Sequence, residues 1–290
     1  MNLWQSQKWA ALQKKRGFSP FFCEKILVVE KKLPFGFCFF EISRVDPPRK
    51  FWQKIGKIAA AKNAIFARFS AVSEKYFQKT FPEKLSPAKI FPDATRIIDL
   101  KKSEKEIFAQ FSATGRRHAR AAQKQNFEIS IEKNAKKFAE LSQKTAARDG
   151  FSAHSADYFR DFLEIFGDES FLLAVKNGEK WLAAGIFVIF EKTAIYYYGA
   201  SARESRNAPT LLQFEAIKIA KKRGAENFDL LGISRDESDR SDRLFGVSRF
   251  KKKFGGQKIF FAPEKIIIFS KISFFLFSIA KFFRKYFRRK

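Results

Sequence analysis

The sequence predicts an α/β (α+β) chain built as two mixed units in tandem. Three observations carry this reading. The 290 residues are 46% hydrophobic, enough for one large core or two ordinary ones and too apolar for disorder. Short apolar or alternating runs recur between helical stretches in a similar order through both halves, as a duplicated unit would give. Caps and turn residues punctuate the boundaries between them.

Taken in order, Ser6 caps a helix to about Arg16, with Gly17 as its stop. Residues 21–30 and 35–42 read as strands, joined by the turn Leu33-Pro34-Phe35-Gly36. After the break at Asp46-Pro47-Pro48, a helix covers 50–62 and a short buried strand 64–69. Three prolines make 81–92 an extended connection, and 96–100 is a strand. Ser103 and Glu106 form a capping box that opens a helix to about Lys124. Then follow a strand at 127–131, helices at 135–148 and 157–166, and a meander at 171–175, 181–190 and 193–198. Pro209 starts a helix that ends at Gly224, and 228–231 is a buried strand. The first unit is expected over 1–130 and the second over 131–264.

The stretch 266–280 is apolar apart from Lys271 and shorter than the ~20 residues of a spanning helix. Helical spacing puts Ile272, Leu276, Ile279, Phe283 and Tyr286 on one face and Lys281, Arg284, Lys285 and Arg288 on another. A helix over 265–290 therefore either packs back on the first unit or lies at a membrane surface.

The charge excess is 57 basic over 30 acidic residues, a net +27. Such a field draws polyanions, whether nucleic acid or an anionic membrane face, although a lysine-rich background composition gives the same number. Arg116, Arg117, Arg120 and Lys124 crowd the end of one helix. They suit its dipole and equally form a ridge that could follow a phosphate backbone. Cys23 and Cys38 sit in apolar surroundings and read as small hydrophobes, which fits a reducing cytoplasm. His118 and His154 have no neighbours at metal-ligand spacing, so no metal is expected. The N-terminal segment lacks the apolar run of a signal peptide.

The order strand, loop, helix, strand from Tyr196 to Gly232 matches the core of an acyl-transfer fold. Acyl-CoA transferases of the GNAT type carry a loop Arg/Gln-x-x-Gly-x-Gly/Ala before a long helix, whose amides hold the CoA pyrophosphate. Here that stretch is Arg203-Glu-Ser-Arg206-Asn-Ala208, with Arg206 at the central glycine position. A bulky cation there argues against CoA and can instead grip a phosphate or carboxylate.

Several ordered segments make the resemblance specific. They are Trp4-Gln-Ser with Trp9, Leu33-Pro34-x-Gly36, Thr95-Arg-Ile-Ile-Asp-Leu100 and Arg116-x-x-x-Arg120-x-Ala122-x-Lys124. Arg148-Asp-Gly-Phe151 follows, with His154 and Tyr158, then Tyr198-Gly-Ala-Ser201, Arg206-Asn207-x-Pro209, Asp229-x-x-Gly232 and Phe250-Lys251-x-x-Phe254-Gly255. In order and spacing the chain resembles the FemABX family, aminoacyl-tRNA-dependent transferases that build peptidoglycan interpeptide bridges. The resemblance implies two tandem GNAT-like domains and transfer of an amino acid from tRNA to the stem-peptide amine of a peptidoglycan precursor, either UDP-MurNAc-pentapeptide or lipid II. Aminoacyl-tRNA is then a co-substrate, with no cofactor.

The family's Phe-Lys pair falls on Phe250 and Lys251. Lys251 would stabilise charge on the ester carbonyl or position the tRNA 3′ end. Without the resemblance it reads as one of the solvated lysines of Lys251–Lys253. Arg206, Tyr198, Asn207 and Arg44 would bind the precursor, and Arg116, Arg120, Lys124 and Lys253 the tRNA. Asp229 and Asp149 are the candidate bases, though a strand-end Asp more often caps backbone. Two features depart from the family. Phe37-Cys38 replaces a small-basic pair after Leu-Pro-x-Gly, and the coiled-coil arm of some relatives is missing. A peripheral, monomeric enzyme on the inner membrane face is expected. The rival readings are an N-acyltransferase using an acyl-CoA or carrier-bound donor, and a non-catalytic nucleic-acid or membrane binder.

Overall fold

The computed structural model describes residues 2–76, 84–85 and 91–287, the side chains of 84–85, 282 and 284–287 apart. It divides into one unit of residues 1–91 and 261–290 and another of 92–260. The boundary thus falls near Phe91 rather than at 130, because strand pairing decides it. Residues 94–99 pair with 227–229 and 257–260, so the whole 92–130 stretch joins the second unit. These partners are far apart in sequence, and periodicity carries no record of them.

In the first unit a six-stranded sheet runs in the order β1-β2-β3-β4-β13-β5. Its strands are β1 (Ser19–Cys23), β2 (Ile26–Lys32), β3 (Cys38–Ser43), β4 (Ala64–Ser70), β5 (Lys84–Leu85) and β13 (Lys265–Ile268). Only β3 and β4 are parallel, and α2 (Arg49–Ala61) makes the crossover between them. Phe51, Trp52 and Ile55 of α2 bury against Phe40, Ile42 and Phe69 of the sheet. At the N-terminus Ser6 caps α1 (Gln7–Lys15) by accepting from Trp9 N–H. The run 21–30 is not one strand but a hairpin. Glu24 and Lys25 take left-handed φ values of 48° and 64°, with Cys23 opposite Ile26. No Asn-Gly or Asp-Gly pair announces this turn, the usual hairpin signal. The apolar stretch from 266 also splits, into β13 and then α9 (Lys271–Phe287). The expected extended connection at 81–92 lies largely outside the described residues, as does Arg288 of the basic face.

The second unit holds a seven-stranded sheet in the order β12-β6-β11-β10-β9-β8-β7. These strands are β6 (Ala94–Asp99), β7 (Glu128–Glu132), β8 (Ser170–Asn177), β9 (Lys180–Phe190), β10 (Thr193–Ser201), β11 (Asn227–Asp229) and β12 (Gln257–Phe260). Alternation along β8 divides the side chains between two faces. Phe171, Leu173 and Val175 join the core with Leu211, Leu212 and Ala216 of α7 (Ala208–Lys222). Leu172 and Ala174, equally buried, fall on the other face. That side carries α5 (Ala135–Asp149) and α6 (Ala156–Phe166), with Phe138 edge-on to Phe159.

The single helix expected from Ser103 to Lys124 is two, α3 (Glu104–Gln110) and α4 (Ala113–Gln123). The capping box at Ser103 forms as expected, but Ser112 caps a second start by accepting from Gly115 N–H. Between the helices the Phe111 side chain is buried, so burial of one ring sets the break. Gly115 is required where α4 meets the end of α8 (Phe245–Lys252). A Cβ there would lie 2.4 Å from Lys253 O, which accepts from Ser112 N–H. Gly115→Ala is therefore expected to destabilise the protein by ~1–3 kcal/mol. Gly56→Ala in α2, where a Cβ meets nothing within 4 Å, should instead stabilise it by ~0.4–1 kcal/mol. Urea unfolding of both variants checks the contrast.

Candidate functional site

Strand β11 is short because its own last side chain ends it. Asp229 accepts from Leu231 N–H (2.7 Å) and from the Thr95 hydroxyl, and Leu231 turns to φ 54°. This Asp-capped, left-handed turn presents two successive carbonyls, Leu231 O and Gly232 O. Both accept from Lys251 Nζ, at 2.7 and 2.8 Å. Gly232 has no room for a side chain, since a Cβ would sit 2.6 Å from Pro92. From the other side, Ser248 on α8 accepts from Ser234 N–H (2.7 Å), which locks the helix bearing Lys251 onto the same loop.

Lys251 is therefore not a solvated lysine. It is 7% exposed, whereas Lys252 next to it is exposed. Burial pushes its ammonium down to about 7, with Asp229 pulling in the opposite direction. Its Nζ also lies 5.8 Å from the centre of the Tyr196 ring. Desolvation pushes the Tyr196 phenol up to about 12, with the neighbouring Gln213 amide pulling the other way. Gly199 allows this placement, because a Cβ there would overlap the Tyr196 hydroxyl. Phe250 packs beside the same core, edge-on to Phe254 at 5.1 Å.

The other expected residues separate into groups. A bulge between Tyr196 and Tyr198 switches faces, so Tyr196 joins the α7 core while Tyr198 packs on α6. The Tyr198 hydroxyl is 2.7 Å from that of Tyr158, and its ring is edge-on to His154, Phe159 and Phe162. Arg206 is exposed and takes φ 48°, so the glycine conformation persists without glycine. The amides behind it are already engaged or absent. Ala208 N–H donates to Ser205 O (2.9 Å), Pro209 has none, and Thr210 N–H donates to Asn207 O (3.0 Å). Asn207 makes no side-chain cap. A pyrophosphate held on main-chain amides would find none of these three open.

On α4, Arg116 donates to the carbonyls of Ala109 (3.0 Å) and Phe111, tying α4 to the end of α3. Arg120 lies 5.5 Å over the Phe108 ring. Arg116, Arg117, Arg120 and Lys124 line one shallow cleft. Lys253 lies 5.6 Å over Phe250, its ammonium lowered by burial and by Arg249. In the first unit, Arg44 is buried at φ 53° with its guanidinium 3.7 Å over Phe261. Asp149 pairs with Arg148 at 2.7 Å, and Asp229 has the capping role expected of a strand-end Asp. Among the described residues no group of three or more His, Cys, Asp or Glu could hold a metal ion.

The parts that sequence reasoning missed are Tyr196, the left-handed Leu231 and the Ser234–Ser248 tie. Asp229-x-x-Gly232 was the available signal for the turn, since an Asp before a tight reversal caps its own backbone two residues on.

Two titration experiments test this geometry. In the folded protein Lys251 loses its proton near 7 and in the unfolded chain near 10.5, so the unfolded state binds the extra proton between these values. Below pH 7 the full penalty of burying the charge is present, and it is relieved as pH rises toward 10.5. Wild type should thus gain stability relative to Lys251→Met across that window, as read by urea unfolding. Asp229→Asn keeps an acceptor for Leu231 N–H but removes the opposing charge. It should move the Lys251 titration below its wild-type position, measured by NMR of labelled lysine.

A model of the FemAB family matches residues 54–177 and 173–280. A lipid II:glycine glycyltransferase of Staphylococcus haemolyticus (strain JCSC1435) is 26% identical over 247 residues. One from Staphylococcus aureus (strain MSSA476) is 26% identical over 249 residues. Each match covers 61% of this chain and 59% of the relative, so the chain spans less than two thirds of the length of these relatives. Among solved structures, FemX superposes with a TM-score of 0.78 at 20% identity, covering 95% of this chain and 94% of that one. A tandem GNAT protein from the clavulanic acid biosynthesis pathway gives 0.53 at 10% identity, covering 84% and 79%. At these identities the likeness is one of fold, two GNAT-like units in tandem. The family model spans most of the sequence and includes the Phe250-Lys251 pair, and the chain belongs to the FemAB family.

Proposed function

We propose that this protein transfers an amino acid from aminoacyl-tRNA to the stem-peptide amine of a peptidoglycan precursor. The observation that carries the reading is the buried Lys251, held by two main-chain carbonyls at the position of the family's Phe-Lys pair. The names of the Staphylococcus relatives, lipid II:glycine glycyltransferases, support the acceptor class.

A protonated lysine has three N–H groups, and Leu231 O and Gly232 O take two. The third is left for the oxygen of the aminoacyl ester. When the acceptor amine attacks, a C–N bond forms and the carbonyl oxygen takes up the charge. Collapse breaks the C–O bond to the tRNA, and the amine's proton ends on the departing 3′ oxygen. A fixed cation in a desolvated setting stabilises the charged intermediate more than the neutral ester. Arg206 would grip an acidic group of the precursor, a diphosphate or a carboxylate, by side-chain donors in place of the spent amides of α7. Tyr198, Asn207 and Arg44 are candidate precursor contacts. Arg117 and Lys124, exposed beside Arg116 and Arg120, would meet the tRNA backbone with Lys253. A lipid-linked acceptor would place the reaction at the inner face of the cell membrane.

The test is transfer of labelled amino acid from a panel of charged tRNAs to lipid II and to UDP-MurNAc-pentapeptide. Lys251→Ala should lower the rate about 100-fold, the usual cost of one oxyanion donor. Equal rates for wild type and variant, with the variant shown to be folded, would remove Lys251 from the mechanism. Calorimetry with acetyl-CoA is expected to show no binding. Tight binding would favour an acyl-CoA donor instead.

A further inference from the structure

Helix α9 is apolar on two sides. Phe274 and Phe277 face the sheet, with ring centres 5.5 and 5.4 Å from Phe66. A second stripe at helical spacing points away from it. Ile272, Phe275 and Leu276 are 78, 64 and 59% exposed, and Ile279 and Phe283 continue the line. A globular helix needs only one apolar stripe to pack, so this second one is unexplained by the fold.

The turn before β3 adds to the same surface. Leu33 N–H donates to Phe37 O (2.8 Å), and the closed turn holds Phe35 at φ 59° with its ring 96% exposed. A non-glycine residue held left-handed is uncommon, and for a bulky side chain the conformation is strained. Here the side chain it displays is a phenyl ring with no burial to offset that strain. Leu33, Phe35 and Phe37 line one apolar groove of about 540 Å³ together with Leu276, Ala280 and Lys281 of α9. Two segments more than two hundred residues apart thus form one continuous apolar face.

The charges of α9 and of the residue beside the turn are of one sign. From Lys271 to Lys290 the sequence carries basic residues and no acid, and Lys32 is exposed next to the turn. An apolar stripe with cations on its own helix and beside the turn is complementary to acyl chains below anionic head groups. No helix among the described residues is long and apolar enough to cross a membrane, so insertion would be interfacial.

We propose that the outer stripe of α9 and the Phe35 turn together insert into the surface of a bilayer containing anionic lipid, with Lys32, Lys271 and Lys281 at the head groups. This does not depend on the transferase reading, and its test uses no substrate. The full chain is floated with vesicles of phosphatidylcholine alone or with phosphatidylglycerol added. Binding to the anionic vesicles is expected, falling about fivefold for Lys281→Gln and weakening with salt. Phe35→Asn, which tolerates a left-handed backbone, and Leu276→Gln should each reduce binding at least tenfold while leaving the melting temperature unchanged. In Phe35→Trp, added anionic vesicles should shift the emission to the blue. The inference is overturned if the chain ignores anionic vesicles or if Phe35→Asn binds as wild type. It also fails if sedimentation shows a dimer that these variants dissociate, for then a second copy covers the face.

Discussion

The hydrogen bonds from Lys251 to the carbonyls of Leu231 and Gly232 are the contact around which the second unit is arranged. Burying an amine costs several kcal/mol, and here two main-chain acceptors offset part of that cost. Strand β11 has to stop at Asp229 for those carbonyls to be free of the sheet, and Leu231 has to reverse for them to point the same way. Neither Gly232 nor Gly115 can carry a side chain. The first sits against Pro92, and the second lets α4 close on the main chain just beyond Lys251. The Ser234–Ser248 bond then fixes α8 to the loop it serves.

This arrangement also sets the electrostatics. Asp229 opposes the desolvation of Lys251, while its Oδ1 accepts from both Leu231 N–H and the Thr95 hydroxyl. An amine that titrates near neutrality inside a protein is a common sign of a functional site. The α7 entry shows the complementary economy. Its backbone keeps the left-handed turn of a phosphate loop, but its amides are closed and a long cation stands where glycine would be. The loop therefore offers a side-chain cation where a CoA site offers open amides, which is the basis for proposing a donor other than CoA.

The first unit solves a different problem. The C-terminal β13 enters between β4 and β5, so the chain returns to the sheet it began. Its following helix covers Phe66 with one stripe and leaves another in water. Packing on the sheet thus accounts for Phe274 and Phe277 and leaves the exposed stripe to a separate cause.

Much of the fold was legible because its signals are local. Ser6 and the Ser103–Glu106 box mark helix starts by hydrogen bonds made within a turn, and Pro209 and Gly224 mark the ends of α7 by their own backbone preferences. The family pattern likewise singled out Phe250-Lys251 and Arg206 as candidates. Tertiary structure decided what those residues experience. Lys251 lies in a lysine run that reads as solvated, and only the carbonyls of a loop some twenty residues upstream make it a buried donor. The break at Phe111, the unit boundary at Phe91 and the placement of Tyr196 and Tyr198 on opposite faces follow the same rule. Each is settled by contacts between distant segments, whose free energy outweighs local preference and which the order of residues does not display.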